Sequence, residues 1–132
     1  MIHGSCLCGA IKYEIDGPLE DMHNCHCSMC RKSHGAGFAT YAEVQSKDLR
    51  FTAGTERLTR YRSSEHVERS FCSQCGSRLF FLFDGLPKKA WVAAGTFDDD
   101  PGMHPEAHIF FSSKAPWVEI HDELKRFDSY PT

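Results

Sequence analysis

The chain has 132 residues, of which 41% are hydrophobic and 25% charged, a balance typical of one globular domain over residues 1–132. A formal charge of −3 argues against nucleic acid or an anionic membrane as a partner, and no apolar run approaches the roughly 20 residues of a membrane span. The start, "MIHGSCLCGAIKYEI", lacks the basic and apolar regions of a signal peptide, so we expect a cytoplasmic protein whose thiols stay reduced.

Eight short segments are predicted to be β-strands, because they are rich in aromatic or β-branched residues and are separated by glycine, proline or charge. In chain order these segments are 10–15, 37–44, 49–54, 57–62, 67–72, 78–83, 90–95 and 107–111. Helical periodicity is weak throughout: "SMCRK" (28–32) fits one helical turn, and 117–127 fits a short helix or turn. The pattern predicts a mainly β fold with its cysteines on strand ends and tight turns, not on helices.

The seven cysteines are the most informative residues, and their odd number excludes a complete set of disulfides. They form three close groups along the chain, namely Cys6 and Cys8, then Cys25, Cys27 and Cys30, then Cys72 and Cys75. Closely spaced cysteines in a reducing compartment are typical of metal ligands. Buried structural thiols are the alternative, but that interpretation does not explain the clustering.

Seven thiolates can serve two tetrahedral ions as four ligands plus three. Glycine follows Cys8 and Cys75, and it permits the tight turn that directs backbone N–H groups at a thiolate. These two pairs would form a closed four-cysteine site, whereas the middle three cysteines would leave a fourth position open, as catalytic zinc sites do. Spacing alone also permits a mixed partition in which Cys6 and Cys8 join Cys25 and Cys27.

Charge favours a particular chemistry at such an open site. Three thiolates around Zn²⁺ sum to −1 and four sum to −2, so this zinc is a weaker Lewis acid than zinc held by neutral histidines. We expect the open site to prefer a soft sulfur ligand from a substrate. A thiol bound there is deprotonated at neutral pH and can attack an electrophilic carbon.

Three stretches, "GSCLCGAIKYEI", "CHCSMCRKSHGA" and "FCSQCGSRLFF", resemble the glutathione-dependent formaldehyde-activating enzyme family, also called the GFA or centromere-protein-V domain. The later "AGTFDDDPGMHPEAHIFFSSKAPWVEI" is similar to the end of that domain. The resemblance implies the Mss4-like fold of several coiled antiparallel β-sheets. It also implies two zinc ions per chain, a structural one on Cys6, Cys8, Cys72 and Cys75 and a catalytic one on Cys25, Cys27 and Cys30.

The activity that this resemblance implies is the condensation of glutathione with formaldehyde to S-(hydroxymethyl)glutathione, a carbon–sulfur lyase reaction. Two other interpretations stay open at this point. In the first, the chain is a non-enzymatic zinc module that binds a protein partner. In the second, the cysteines hold iron, which four thiolates also bind well. The thiol substrate is glutathione or another small thiol, and assembly as a homodimer is left open.

Several other residues have two interpretations each. His26 lies between two cysteines and either contacts substrate or supports the loop. Arg31 and Lys32 either meet the carboxylates of a glutathione-like ligand or are solvated surface charges. His104 and His108 are candidate additional ligands, although isolated histidines usually are not ligands. Trp117 is expected to anchor the C-terminal segment by burial.

Overall fold

A computed structural model describes residues 1–131, and Thr132, the last residue of the predicted domain, lies outside the described residues. The strands are β1 Ile2–Ser5, β2 Lys12–Ile15, β3 Asp21–Cys25, β4 Ala39–Gln45, β5 Leu49–Ala53, β6 Leu58–Arg62, β7 Val67–Cys72, β8 Arg78–Phe83, β9 Lys89–Ala93, β10 Ala107–Ile109 and β11 Lys125–Arg126. The α-helix α1 spans Ser28–His34, and short 3-10 helices span Ser46–Asp48, Thr55–Arg57, Ala94–Thr96 and Phe111–Ser113.

The strands form two sheets. The smaller sheet has the order β1-β2-β5, and the larger has the order β11-β10-β3-β4-β9-β8-β7-β6. All pairs are antiparallel except those of β10, which runs parallel to β3 on one side and to β11 on the other. The predicted mainly β fold of several sheets is therefore confirmed, and the parallel pairs depart from the expected antiparallel arrangement.

Each of the eight predicted segments overlaps a strand, and β7 and β8 match their predicted bounds. Three strands were not predicted, namely β1, β3 and β11. The most important of them is β3, because it ends at Cys25 and lies in the middle of the larger sheet. Its sequence, DMHNC, contains no β-branched or phenyl side chain, and it becomes a strand by pairing with β4 and burying Met22 and Asn24.

The helix α1 corrects the expectation that no cysteine lies on a helix, because Cys30 is inside it and is buried. The thiol of Cys27 caps the helix by accepting a hydrogen bond of 3.3 Å from the Cys30 backbone N–H. At the other end, Gly35 has φ 62°, and its N–H donates to the carbonyl of Arg31. Glycine adopts this left-handed conformation without steric cost, so the helix ends there.

The C-terminal segment also differs from expectation. Residues 117–127 contain no α-helix and end in the short strand β11. Trp117 is 70% exposed, so the prediction that it anchors this segment by burial is wrong. A buried side chain two residues earlier, Ala115, contributes to packing in its place.

Two hydrophobic cores hold the sheets, and each contains one group of cysteines. The first core joins both sheets through side chains such as Ile11, Tyr13 and Leu79, and it includes Cys6 and Cys72. Burying side chains of this size contributes about 1.5–3 kcal/mol each to the stability of the fold.

The second core contains Cys25, Cys30 and Tyr41, with Phe81 and Trp91 packed against it. The rings of Phe81 and Trp91 stack with centroids 5.1 Å apart. This aromatic layer fixes the larger sheet beneath the three-cysteine cluster. None of the helices in residues 1–131 has the length and apolar character needed to cross a membrane.

Candidate metal centres

The first and last cysteine pairs meet in one cluster. The Sγ atoms of Cys6, Cys8, Cys72 and Cys75 all lie within 4.8 Å of one another. Two of these separations are 3.6 Å, between Cys6 and Cys8, and 3.9 Å, between Cys8 and Cys72. Tetrahedral zinc with Zn–S bonds of about 2.3 Å requires sulfur atoms about 3.8 Å apart. The four residues therefore fit a tetrahedral metal ion.

Two glycine turns shape this four-cysteine cluster, as the sequence predicts. Gly9 has φ 78° and Gly76 has φ 80°. The Gly9 N–H donates to the carbonyl of Cys6, and the Gly76 N–H donates to the carbonyl of Cys72. The first turn also places the backbone N–H of Ile11 3.3 Å from the Cys6 sulfur. Donors of this kind stabilise thiolates, which is the form that binds metal.

The three remaining cysteines form the second cluster. Cys25 ends β3, Cys27 caps α1 and Cys30 lies inside α1, and their Sγ atoms lie within 4.8 Å of one another. Cys25 and Cys30 are buried, whereas Cys27 is half-buried. The sulfur atoms are thus grouped four and three, and the mixed partition left open by spacing is not the observed arrangement.

The three thiols of this cluster do not ionise independently of one another. Hydrogen bonds from Cys25 and Cys30 lower the pKa of Cys27 to about 2. The hydrogen bond with the Cys27 thiolate in turn raises the pKa of Cys25 far above its usual value. Without a positive ion, a single thiolate therefore suppresses the formation of a second one. A bound divalent ion removes this repulsion, so thiolate formation and metal binding are coupled.

A buried arginine adjoins this cluster. Arg69 is 7% exposed, and its Nη2 lies 3.9 Å from the Cys30 sulfur. Its other side-chain partners are the hydroxyls of Ser63 at 3.0 Å and Tyr41 at 3.2 Å, so its three partners include no carboxylate. The Tyr41 hydroxyl also lies 2.6 Å from Nε2 of His34. Arg69 thus supplies a fixed positive charge beside the thiolates, a feature that sequence reasoning missed.

An open pocket of about 590 Å³ is connected to the cluster through Arg69, which forms part of its wall and contacts the Cys30 sulfur. None of the three cysteines lines the pocket. One side consists of α1 residues, including Lys32, and the other side includes Phe71 and Arg78 from β7 and β8. Of the two basic residues predicted to meet a ligand, Lys32 lines this pocket. Arg31 instead donates through Nε to the carbonyl of His26 at 3.3 Å.

His26 is fully buried and supports the loop between Cys25 and Cys27. Its Nε2 lies 2.8 Å from Nδ1 of His108, whose Nε2 lies 2.9 Å from Asp122. Burial, followed by the positive potential of His108, lowers the pKa of His26 to about 4. His108 is likewise fully buried and belongs to neither cysteine cluster, so the structure gives no support to its role as an additional ligand.

The fold and its two clusters define a class of protein. This is a mainly β protein with two cysteine groups that fit soft metal ions such as zinc, one of four cysteines and one of three that Arg69 connects to a pocket. Residues 1–113 match the family model described as glutathione-dependent formaldehyde-activating enzyme. The chain belongs to this family.

Relatives of known sequence agree with this membership. A Halomonas elongata protein with the provisional name glutathione-dependent formaldehyde-activating enzyme is 31% identical over 99% of this chain and 89% of its own length. An uncharacterized lyase of Schizosaccharomyces pombe is 28% identical over 94% of this chain and 88% of its own. These names support a lyase-like enzyme at the level of the family.

A solved structure shares the fold. The crystal structure of a Rhodobacter sphaeroides protein superimposes with a TM-score of 0.63 at 29% sequence identity. The match covers 78% of this chain and 91% of that protein.

Proposed function

We propose that this protein is a zinc-dependent carbon–sulfur lyase-type enzyme that forms S-(hydroxymethyl)glutathione from glutathione and formaldehyde. Cys6, Cys8, Cys72 and Cys75 would hold a structural zinc ion. Cys25, Cys27 and Cys30 would hold a catalytic one. The seven free thiols also favour a reducing compartment, consistent with the cytoplasm.

One observation carries the proposal, namely that Arg69 links the cluster with only three cysteines to the 590 Å³ pocket, because it lines the pocket and contacts the Cys30 sulfur. Three protein ligands leave one tetrahedral position for a sulfur ligand from outside the chain. The four-cysteine cluster has a complete ligand set and suits a structural role. The difference in ligand number therefore favours Cys25, Cys27 and Cys30 as the ligands of the catalytic ion.

The reaction needs a nucleophilic sulfur atom and no redox cofactor. Zinc, when bound, lowers the pKa of a coordinated thiol so that the thiolate exists at neutral pH. The substrate thiol loses its proton to solvent, its sulfur forms a bond to the carbonyl carbon of formaldehyde, and the C=O π pair moves to oxygen. That oxygen takes up one proton from solvent, so the reaction consumes and releases no net proton. Arg69 offsets the net charge of −1 that three thiolates and Zn²⁺ create, which makes the entry of a further thiolate less unfavourable.

Exchange spectroscopy by NMR tests the proposal, because the reaction is reversible and free glutathione and its adduct coexist at equilibrium. We expect the zinc-loaded protein to raise the exchange rate between glutathione and S-(hydroxymethyl)glutathione above the uncatalysed rate. Cys27→Ser should lower the rate to the uncatalysed level. A wild-type protein that carries two zinc ions and leaves the rate unchanged would refute the enzyme assignment and favour the partner-binding module.

Metal analysis belongs to the same experiment. Two zinc ions per chain and a colourless protein are expected. Strong visible absorption with stoichiometric iron would refute the zinc assignment, because iron–thiolate centres are coloured whereas zinc has a filled d shell.

A further inference from the structure

We propose that Arg78 is the residue that selects a carboxylate-bearing thiol, by binding a substrate carboxylate in the pocket beside the three-cysteine cluster. The inference rests on the proposed function, because it assigns the place where the thiol substrate of that reaction is recognised. Arg78 would be a specificity-determining residue that touches the substrate at a distance from the reacting sulfur.

The guanidinium group of Arg78 is held in place by two contacts. Its Nε donates a hydrogen bond of 2.7 Å to the backbone carbonyl of Ser33. Its planar group lies over the ring of Phe71, with Cζ 4.6 Å from the ring centroid. These contacts fix the plane and rotation of the guanidinium group without a carboxylate partner. Both Nη groups remain available as a two-pronged donor for a carboxylate.

The pocket around Arg78 has the charge that an anionic ligand needs. Lys32 and Arg69 also line it, and no acidic side chain does so within the described part of the chain. Its volume of about 590 Å³ lies within the range of sites that bind small organic molecules. Three positive charges without a matching acid favour a ligand with more than one carboxylate.

The pocket also has a defined direction with respect to the sulfur atoms. Arg69 lines the pocket and reaches the Cys30 sulfur, so it marks the end of the pocket that is nearest the three-cysteine cluster. Arg78 holds the carbonyl of Ser33, near the C-terminal end of the helix that carries Cys30. A thiol with its carboxylate on Arg78 would thus be oriented by the same helix that supplies a sulfur ligand.

The probe that tests this inference is S-methylglutathione, which keeps both carboxylates of glutathione and cannot form a thiolate. We expect it to bind the zinc-loaded wild-type protein in a calorimetric titration. Arg78→Gln should weaken binding about tenfold to hundredfold, the value of a charge-assisted hydrogen bond to a carboxylate. Arg78→Lys keeps the charge but cannot donate two parallel hydrogen bonds, so its affinity for S-methylglutathione should lie between those of the wild type and Arg78→Gln.

Two controls make the result specific. Arg50→Gln makes the same change of charge on the exposed strand β5 and should leave binding unchanged. The diester of S-methylglutathione should bind the wild-type protein far more weakly than the free acid, which tests the role of the carboxylates even if an Arg78 variant fails to fold.

Each contrary result overturns the inference. These results are no binding of S-methylglutathione, equal binding by wild type and Arg78→Gln, and equal binding of acid and diester. The proposed function fails separately, because it depends on exchange with formaldehyde, which S-methylglutathione cannot undergo. Catalysis of exchange by the wild type, with rates equally high for glutathione and for β-mercaptoethanol, would leave the lyase assignment intact and refute selection by Arg78.

Discussion

Loss of the four-cysteine centre should unfold the protein, and Cys8→Ser is the sharpest way to test this. Cys8 is exposed, so its replacement leaves the hydrophobic core intact and removes only a ligand. Cys72→Ser should have the same effect, but Cys72 is also part of the first core. A difference between the two variants therefore separates the loss of metal from the loss of packing.

The expected loss of folding free energy follows from the length of the loop that this centre closes. Cys8 and Cys72 are 64 positions apart, and closing a loop of that length by a cross-link is worth about 4 kcal/mol of unfolded-chain entropy. The binding of structural zinc to small domains supplies about 10–16 kcal/mol of folding free energy at neutral pH. Domains of this kind are stable by about 5–15 kcal/mol, so either figure is a large part of the total.

The assay is urea unfolding followed by circular dichroism, with zinc content measured on the same samples. We expect Cys8→Ser and Cys72→Ser to be unfolded or insoluble and Ser73→Ala, an exposed neighbour in the same turn, to match the wild type. A Cys8→Ser protein that has lost one zinc ion yet unfolds at the wild-type urea concentration would show that this centre does not hold the fold together.

Three further predictions concern the second cluster and its surroundings. Cys27→Ser should lose one zinc ion but keep a cooperative unfolding transition, measured by metal analysis and circular dichroism; an unfolded variant would contradict the independence of the two centres. A mild chelator should remove the three-cysteine metal first, because that ion has one protein ligand fewer, and simultaneous loss of both metals would count against the proposed partition. Burial lowers the pKa of His34 to about 4, so between its usual pKa near 6.5 and pH 4 the unfolded chain binds one more proton than the folded protein. The wild type should therefore lose stability relative to His34→Gln as the pH falls through this range. An equal difference in free energy of unfolding between the two proteins at pH 5.5 and pH 7.5, measured with urea, would refute this.

The local sequence pattern predicted those strands whose residues have a high β propensity. β7 and β8 were predicted with the right bounds, because β7 contains Val67 and Phe71, β8 contains three phenylalanines, and turns with Gly76 and Gly85 follow the two strands. β3 was missed because its sequence, DMHNC, has no strong preference for a strand. Its pairing with β4 and β10 makes it a strand, and the sequence of five residues does not reveal that pairing. α1 was too short for helical periodicity, so only one turn of it was anticipated.

The two cysteine groups could be predicted from the spacing of the cysteines and the residues beside them. The residues that surround the groups in space could not. Three ligands within six positions stay together in almost any fold, so the cluster could be predicted from the sequence. Arg69 and Cys30 are 39 positions apart, and His26 and His108 are 82 apart, so nothing local relates them. Arg69 was also not predicted for a second reason, because a charged residue on a strand is usually exposed.

The sulfur of Cys27 links the chemical state of the cluster to the shape of the pocket wall. The same atom that would hold metal also caps α1, by accepting the hydrogen bond from the Cys30 N–H. A thiolate is a stronger acceptor than a thiol, whereas an oxidised sulfur is bulkier and directs its oxygen atoms elsewhere. Oxidative damage at this one atom should therefore fray the first turn of the helix, and the pocket would lose part of its wall together with its metal ligand.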